Sequence, residues 1–129
     1  MPEHGTFCWN ELNTRDPEAA RDFYGKTLGW SFDTMPMATG GDYIVAKAGD
    51  RMVGGIFDIR GHAGMENVPP HWFAYIEVDD VDARVARAQQ AGGALMRDIF
   101  DVPGVGRIAI VRDPTGAVVG WMTSAPRAG

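Results

Sequence analysis

Cysteine is nearly absent from this chain of 129 residues: Cys8 stands alone, so no internal disulfide can form and packing must hold the fold together. Long apolar runs are missing too, and nothing approaches the ~20 consecutive apolar residues that a membrane span needs. The opening stretch MPEHGTFCW has neither a basic start nor an apolar run of signal length. Together these features point to a cytoplasmic protein. Positive charge is in deficit: Lys and Arg number 12 against 17 Asp and Glu, for a net charge of -5. That balance repels nucleic acid and anionic membrane, so neither is expected as a partner. A small molecule or another subunit remains.

What is present is a core. A hydrophobic content of 45%, with 10% aromatic residues, suffices for one compact domain over residues 1–129. The one stretch of linker composition, RGHAGMENVPP from Arg60 to Pro70, falls near the midpoint and invites comparison of the two halves. Each half opens with an alternating, aromatic-rich segment, FCWNELN from Phe7 and HWFAYIEV from His71, the pattern of a half-buried strand. Asp16, followed by Pro17, and Asp80, 64 positions later, each begin a helix as N-caps. The first helix, roughly Pro17 to Leu28, sets Ala20, Phe23, Tyr24 and Leu28 on one core-facing stripe; the second, roughly Val81 to Ala91, does so with Val81, Val85 and Ala88. Gly29 and Gly93 are expected to end them as left-handed caps. Three strands follow in each half: Trp30 to Met37, Asp42 to Ala48 and Met52 to Ile59, then Ala94 to Phe100, Arg107 to Val111 and Ala117 to Thr123. GG, GD, PGVG and DPTG supply the turns, and Gly41 and Gly55 are answered by Gly106 and Gly120. The predicted architecture is α+β: tandem βαβββ modules, at about 5–60 and 71–124, joined by a linker at about 60–70.

A chain of this plan, with ARDFYGKTLGW after its first strand, VDDVDARVARAQQAGG after its fifth and DPTGAVVGWM near its end, resembles the vicinal oxygen chelate superfamily of glyoxalases, extradiol dioxygenases and bleomycin-type resistance proteins. It looks closest to a glyoxalase-like branch, through Trp9-Asn10-Glu11-Leu12. The resemblance implies that the modules curl into a cup-shaped or barrel-like mixed sheet, completed within one chain or across a homodimer. It also implies four positions that commonly ligate a divalent metal, one on the first and one on the last strand of each module. Here those positions fall on Trp9, Gly55 (uncertain by one residue), Phe73 and Gly120, none of which can bind a metal. No metal and no cofactor is therefore expected. A displaced site would have to draw on Glu11, Glu77 and His71, a poor set for a transition metal.

Side chains two apart on a strand share a face, which groups Phe7, Trp9 and Glu11, and likewise Phe73, Tyr75 and Glu77. Two readings follow. The glycines at 55 and 120 leave open space opposite Trp9 and Phe73, making an apolar pocket with polar handles, or the aromatics plug that space as core. On the pocket reading Trp9, Phe73, Glu77, Gly55, Gly120 and Trp121 bind the ligand, with Trp121 facing outward if Gly120 faces in. Glu11 is the candidate acid or base, its pKa raised by partial burial, with Tyr75 as hydrogen-bonding partner. Its structural alternative is a Glu11 paired with Arg107 or bonded to Tyr75. Lower ranked are His71, a strand-entry histidine, His4 and His62, in segments read as mobile, and Cys8, read as an inert buried thiol. Met35, Met37, Met52, Met96 and Met122 are read as core or pocket lining. The segment 60–70 is a crossover or, in addition, a lid. The functions that fit are a metal-independent isomerase or lyase acting on a small, partly aromatic metabolite, a non-catalytic binding or drug-sequestration protein, or a metal-dependent lyase or dioxygenase with displaced ligands.

Overall fold

A computed structural model describes residues 2–37 and 41–125. The chain runs β1 (Phe7–Thr14), α1 (Pro17–Leu28), β2 (Ser31–Pro36), β3 (Asp42–Ala48), β4 (Arg51–Asp58), β5 (His71–Glu77), α2 (Val81–Gln90), β6 (Ala94–Leu95), β7 (Phe100–Val102), β8 (Gly106–Arg112) and β9 (Val118–Ser124). This is an α+β fold of two βαβββ modules, the second carrying one strand more than expected. Of the GG turn before β3, Gly40 lies outside the described residues. The chain divides into two compact units, Trp9–Phe73, and the described residues of 1–8 with those of 74–129.

In the unit Trp9–Phe73 the strand order is β2-β3-β4-β1. β4 runs parallel to β1 and antiparallel to β3, and β2 is antiparallel to β3. α1 starts where the sequence places it, because the Asp16 carboxylate accepts the Ala19 N–H at 3.0 Å and Pro17 follows at the first turn. It ends at Gly29, whose φ of 71° is the left-handed conformation that glycine adopts without strain. Leu12, Ile44 and Ile56 form the core beneath it, with Ala20, Tyr24 and Phe32 packed against them. The helical stripe is narrower than predicted: Phe23 and Leu28 are 58% and 56% exposed. They lie at its two margins, roughly 140° apart around a 3.6-residue helix, so one contact line cannot cover both.

The other unit has the order β5-β9-β8-β6, with β7 also paired to β8. Asp80 caps α2 through the Ala83 N–H at 3.2 Å. The left-handed residue after α2 is Gly92, at φ 91°, and not Gly93. Gly93 instead donates its N–H to the Ala88 carbonyl at 2.8 Å, closing a Schellman turn around Gly92. The strand expected from Ala94 to Phe100 is broken. Leu95 pairs with Val111 and Phe100 with Ile108, so five steps on one side face three on the other, and the surplus bulges out between β6 and β7. Val78, Val81, Val85, Ala109 and Val111 make the core, with Trp121 packed against it.

The internal repeat extends to strand register. Gly55 stands beside Glu11 on β1 and Val45 on β3; Gly120 stands in the same way beside Tyr75 on β5 and Ile110 on β8.

Candidate functional site

Alternation along β1 sends Leu12 into the core under α1, which puts Trp9, Glu11 and Asn13 on the opposite face of the sheet. Ile44 and Ile56 face α1 in the same way, so Tyr43, Val45, Gly55 and Phe57 share the face of Glu11. There the Trp9 indole N–H donates to the Tyr43 hydroxyl at 3.0 Å, and that hydroxyl donates to Oε2 of Glu11 at 2.8 Å. β4 separates β3 from β1, so Tyr43 must reach across about two strand spacings, close to 10 Å. It does so directly over Gly55, where a Cβ would overlap the phenol oxygen and ring.

Two sequence expectations change. Gly55 lies across from Glu11 and not from Trp9, and the space above it holds Tyr43 instead of being open. Tyr43 belongs to no motif in the sequence, although its alternation with Ile44 is plain in DYIVAKA. Counting back from the hairpin turn, Ala48 faces Arg51 and Lys47 faces Met52, but the next pair is Ala46 with Gly54. A bulge at Ala46/Lys47 takes up one residue, and only after that slip do Val45 and Tyr43 come alongside Gly55.

Trp121 packs into the core beneath α2, on the side opposite Gly120, as period-two alternation requires. Glu77 is only 4% exposed, and its carboxylate accepts from the Ser124 N–H at 2.9 Å and from the Ser124 hydroxyl. It ties β5 to β9 from within. Tyr75 is buried and stands beside Gly120; its carbonyl accepts the Cys8 thiol at 3.6 Å. Burial, aided by the negative charge of Glu77, pushes that thiol up to about 11, the setting of an unreactive cysteine. Phe73 is buried, with the His71 ring edge-on at 6.3 Å, and His71 Nδ1 lies 2.8 Å from the Pro69 carbonyl. Arg107 forks onto Asp82 at 2.8 and 3.0 Å and reaches Asp101 at 3.0 Å, within its own unit. His4 is not loose: its Nδ1 accepts the Asp79 N–H at 3.0 Å.

Among the described residues no three His, Cys, Asp or Glu side chains gather into a group able to hold a metal ion. With Trp9, Gly55, Phe73 and Gly120 at the positions the resemblance assigns to ligands, the residues present do not fit a divalent ion.

Two βαβββ modules with matching glycine registers, and a carboxylate held beside the first of those glycines, define a glyoxalase-type fold with an altered ligand face. The chain belongs to the Glyoxalase/Bleomycin resistance protein/Dioxygenase superfamily, whose family pattern matches residues 6–120. It is 42% identical over 125 residues to the provisionally named glyoxylase CFP32 of Mycobacterium tuberculosis, covering 97% of this chain and 46% of that protein. The anthracycline biosynthesis protein DnrV of Streptomyces peucetius is 29% identical over 123 residues, covering 88% of this chain and 45% of that protein. The chain thus spans about half the length of the curated relatives it matches. Among solved structures, methylmalonyl-CoA epimerase from Mycobacterium tuberculosis superposes with a TM-score of 0.66 at 16% identity, covering 94% of this chain and 89% of that one. A hypothetical protein, BH1468 from Bacillus halodurans, gives 0.73 at 10% identity, covering 98% and 99%. At such identities what is shared is the fold.

Proposed function

We propose that this protein is a metal-independent isomerase or lyase that binds a small, partly aromatic organic molecule on the Trp9–Tyr43–Glu11 face and uses Glu11 as its acid–base group. The observation that carries this reading is the hydrogen-bond chain from indole to phenol to carboxylate. A carboxylate whose Oε2 is fixed by a phenol, itself fixed by an indole, is oriented before any ligand arrives, and such preorganisation favours proton transfer. Glu11 would take a proton from a carbon next to a carbonyl, leaving the electron pair delocalised onto the carbonyl oxygen. It would then return the proton at the neighbouring position, or a leaving group would depart. Trp9 supplies flat apolar surface for the ligand body. The names of the relatives, a glyoxylase and an anthracycline biosynthesis protein, support small organic chemistry. Cytoplasmic location and a homodimeric state belong to the same proposal.

The test is solvent-deuterium exchange at carbons next to carbonyl groups, followed by NMR over a panel of small carbonyl compounds, with wild type and Glu11→Gln. Loss of a general base costs about 10²–10⁴ in rate, so exchange should collapse in the variant while affinity stays within about threefold. Exchange that survives Glu11→Gln would refute the assignment. Binding without exchange in the wild type would favour the sequestration reading, to which the same aromatic and hydrogen-bonded wall also lends itself. Elemental analysis after growth with added metals should find no stoichiometric Zn, Ni, Mn or Fe.

A further inference from the structure

The face that carries Glu11 continues toward the segment 60–70. Phe57 stands beside Asn13 in the β1·β4 ladder, one same-face position beyond the Glu11–Gly55 pair and so about 7 Å further along the strand. Against its ring lies the imidazole of His62, centroids 4.8 Å apart and planes at 53°. The segment that brings His62 there is anchored. Ile59 is buried and donates its N–H to the Thr14 carbonyl at 3.0 Å. Three turns follow in succession, His62 N–H to Ile59 (3.3 Å), Met65 N–H to His62 (3.1 Å) and Val68 N–H to Met65 (3.2 Å). Arg15, just beyond the end of β1, donates from Nη2 to the carbonyls of Met65 at 2.6 Å and Glu66 at 2.9 Å. A segment that reads in sequence as mobile is thus tied to the strand that bears Glu11.

Charge is ordered along this face. Glu11 lies near the Trp9 end; Arg15 and His62 lie at the other. Asp58, four positions before His62, is engaged by the Arg60 guanidinium through bonds of 2.6 and 3.0 Å, so its charge is largely offset before it reaches the imidazole. A ligand with an anionic group would be repelled by Glu11 and attracted at the His62 end, so it can lie in one direction only.

We propose that His62, seated on Phe57, recognises a carboxylate on the molecule whose reacting carbon meets Glu11, so that the ligand class is small, aryl- or alkyl-substituted carboxylic acids that also bear a carbonyl. This rests on the Glu11 reading above and adds to it a substrate class and a direction of binding. His62 acts in recognition and orientation; the proton is moved by Glu11.

The test is a titration of the full chain with phenylpyruvate and with its methyl ester, which share the ring and the carbonyl and differ in charge, followed by calorimetry and by the NMR signals of the Trp9 indole. Wild type should bind the acid about tenfold more tightly than the ester, the scale of one charge-assisted hydrogen bond near a surface. His62→Ala should erase that preference without changing ester affinity, and His62→Gln, which keeps an N–H donor, should restore part of it. A preference that persists in His62→Ala, or equal binding of acid and ester by wild type while both shift the Trp9 signal, overturns the His62 assignment and leaves Glu11 standing. If neither compound moves the Trp9 signal, the binding face is misplaced and both proposals fall. Should His62→Ala fold poorly, the Gln variant decides on its own: an acid-over-ester preference reduced but not abolished there supports the donor role, and a preference equal to that of wild type refutes it.

Discussion

Tyr43 reaches Glu11 by crossing β4, and the crossing exists because residue 55 has no side chain. Gly55→Ala should push the phenol off both Glu11 and Trp9 and cost about 1–3 kcal/mol by overpacking. Denaturant unfolding would measure it, and in a Tyr43→Ala background the same change should cost far less, since the clash has gone. Cys8 offers a second check at this scale. With its thiol pushed up to about 11 from 9.0, alkylation by iodoacetamide at pH 8 should run roughly tenfold slower than for a free thiol, after allowing for the greater nucleophilicity of a more basic thiolate. The sign for stability follows: below pH 9 folded and unfolded thiols are both protonated, and between 9 and 11 the unfolded thiol ionises first, so stability declines through that window. That Glu11 shares a face with Trp9 was legible in the sequence, because alternation along a strand is a local count. Tyr43 was not, because a single bulged residue in the β3–β4 hairpin decides which side chain arrives above Gly55.

The same division between local and non-local information separates the elements. Both helix starts could be read from Asp16-Pro17 and Asp80, since capping involves only the next three residues. Asp16→Ala should lower stability by about 1 kcal/mol, measurable as a shift in thermal midpoint of several degrees. The break between β6 and β7 could not be read. ALMRDIF alternates no worse than its neighbours, and its bulge comes from a mismatch in pairing with β8, a strand that follows it in sequence. Gly106 is more stringent than Gly92, although both have positive φ, at 155° and 91°. At Gly106 a Cβ would also drive into the backbone of Thr123 and Ser124 on β9. Gly106→Ala should therefore be the more damaging of the two by more than 1 kcal/mol, as equilibrium unfolding of the paired variants would reveal.

At the scale of the whole molecule, the relatives are about twice as long as this chain. If the proposed homodimer forms, light scattering should return twice the 14.0 kDa of one chain. A single-chain mass at micromolar concentration would remove the dimer from the proposal. None of the described helices is long and apolar enough to cross a membrane. The tandem plan was legible at this scale because it is written twice, with landmarks 64 or 65 positions apart.

The contact between Tyr43 and Gly55 also constrains how such a protein can change over generations. Residue 55 is the position the family resemblance assigns to a metal ligand, yet any carboxylate introduced there meets the Tyr43 ring before it can meet an ion. A path toward metal binding is therefore easier when residue 43 shrinks first and residue 55 is replaced second. Taken in the opposite order, the intermediate carries the clash. The two substitutions are not interchangeable steps, because one phenol ring occupies the space that the second needs.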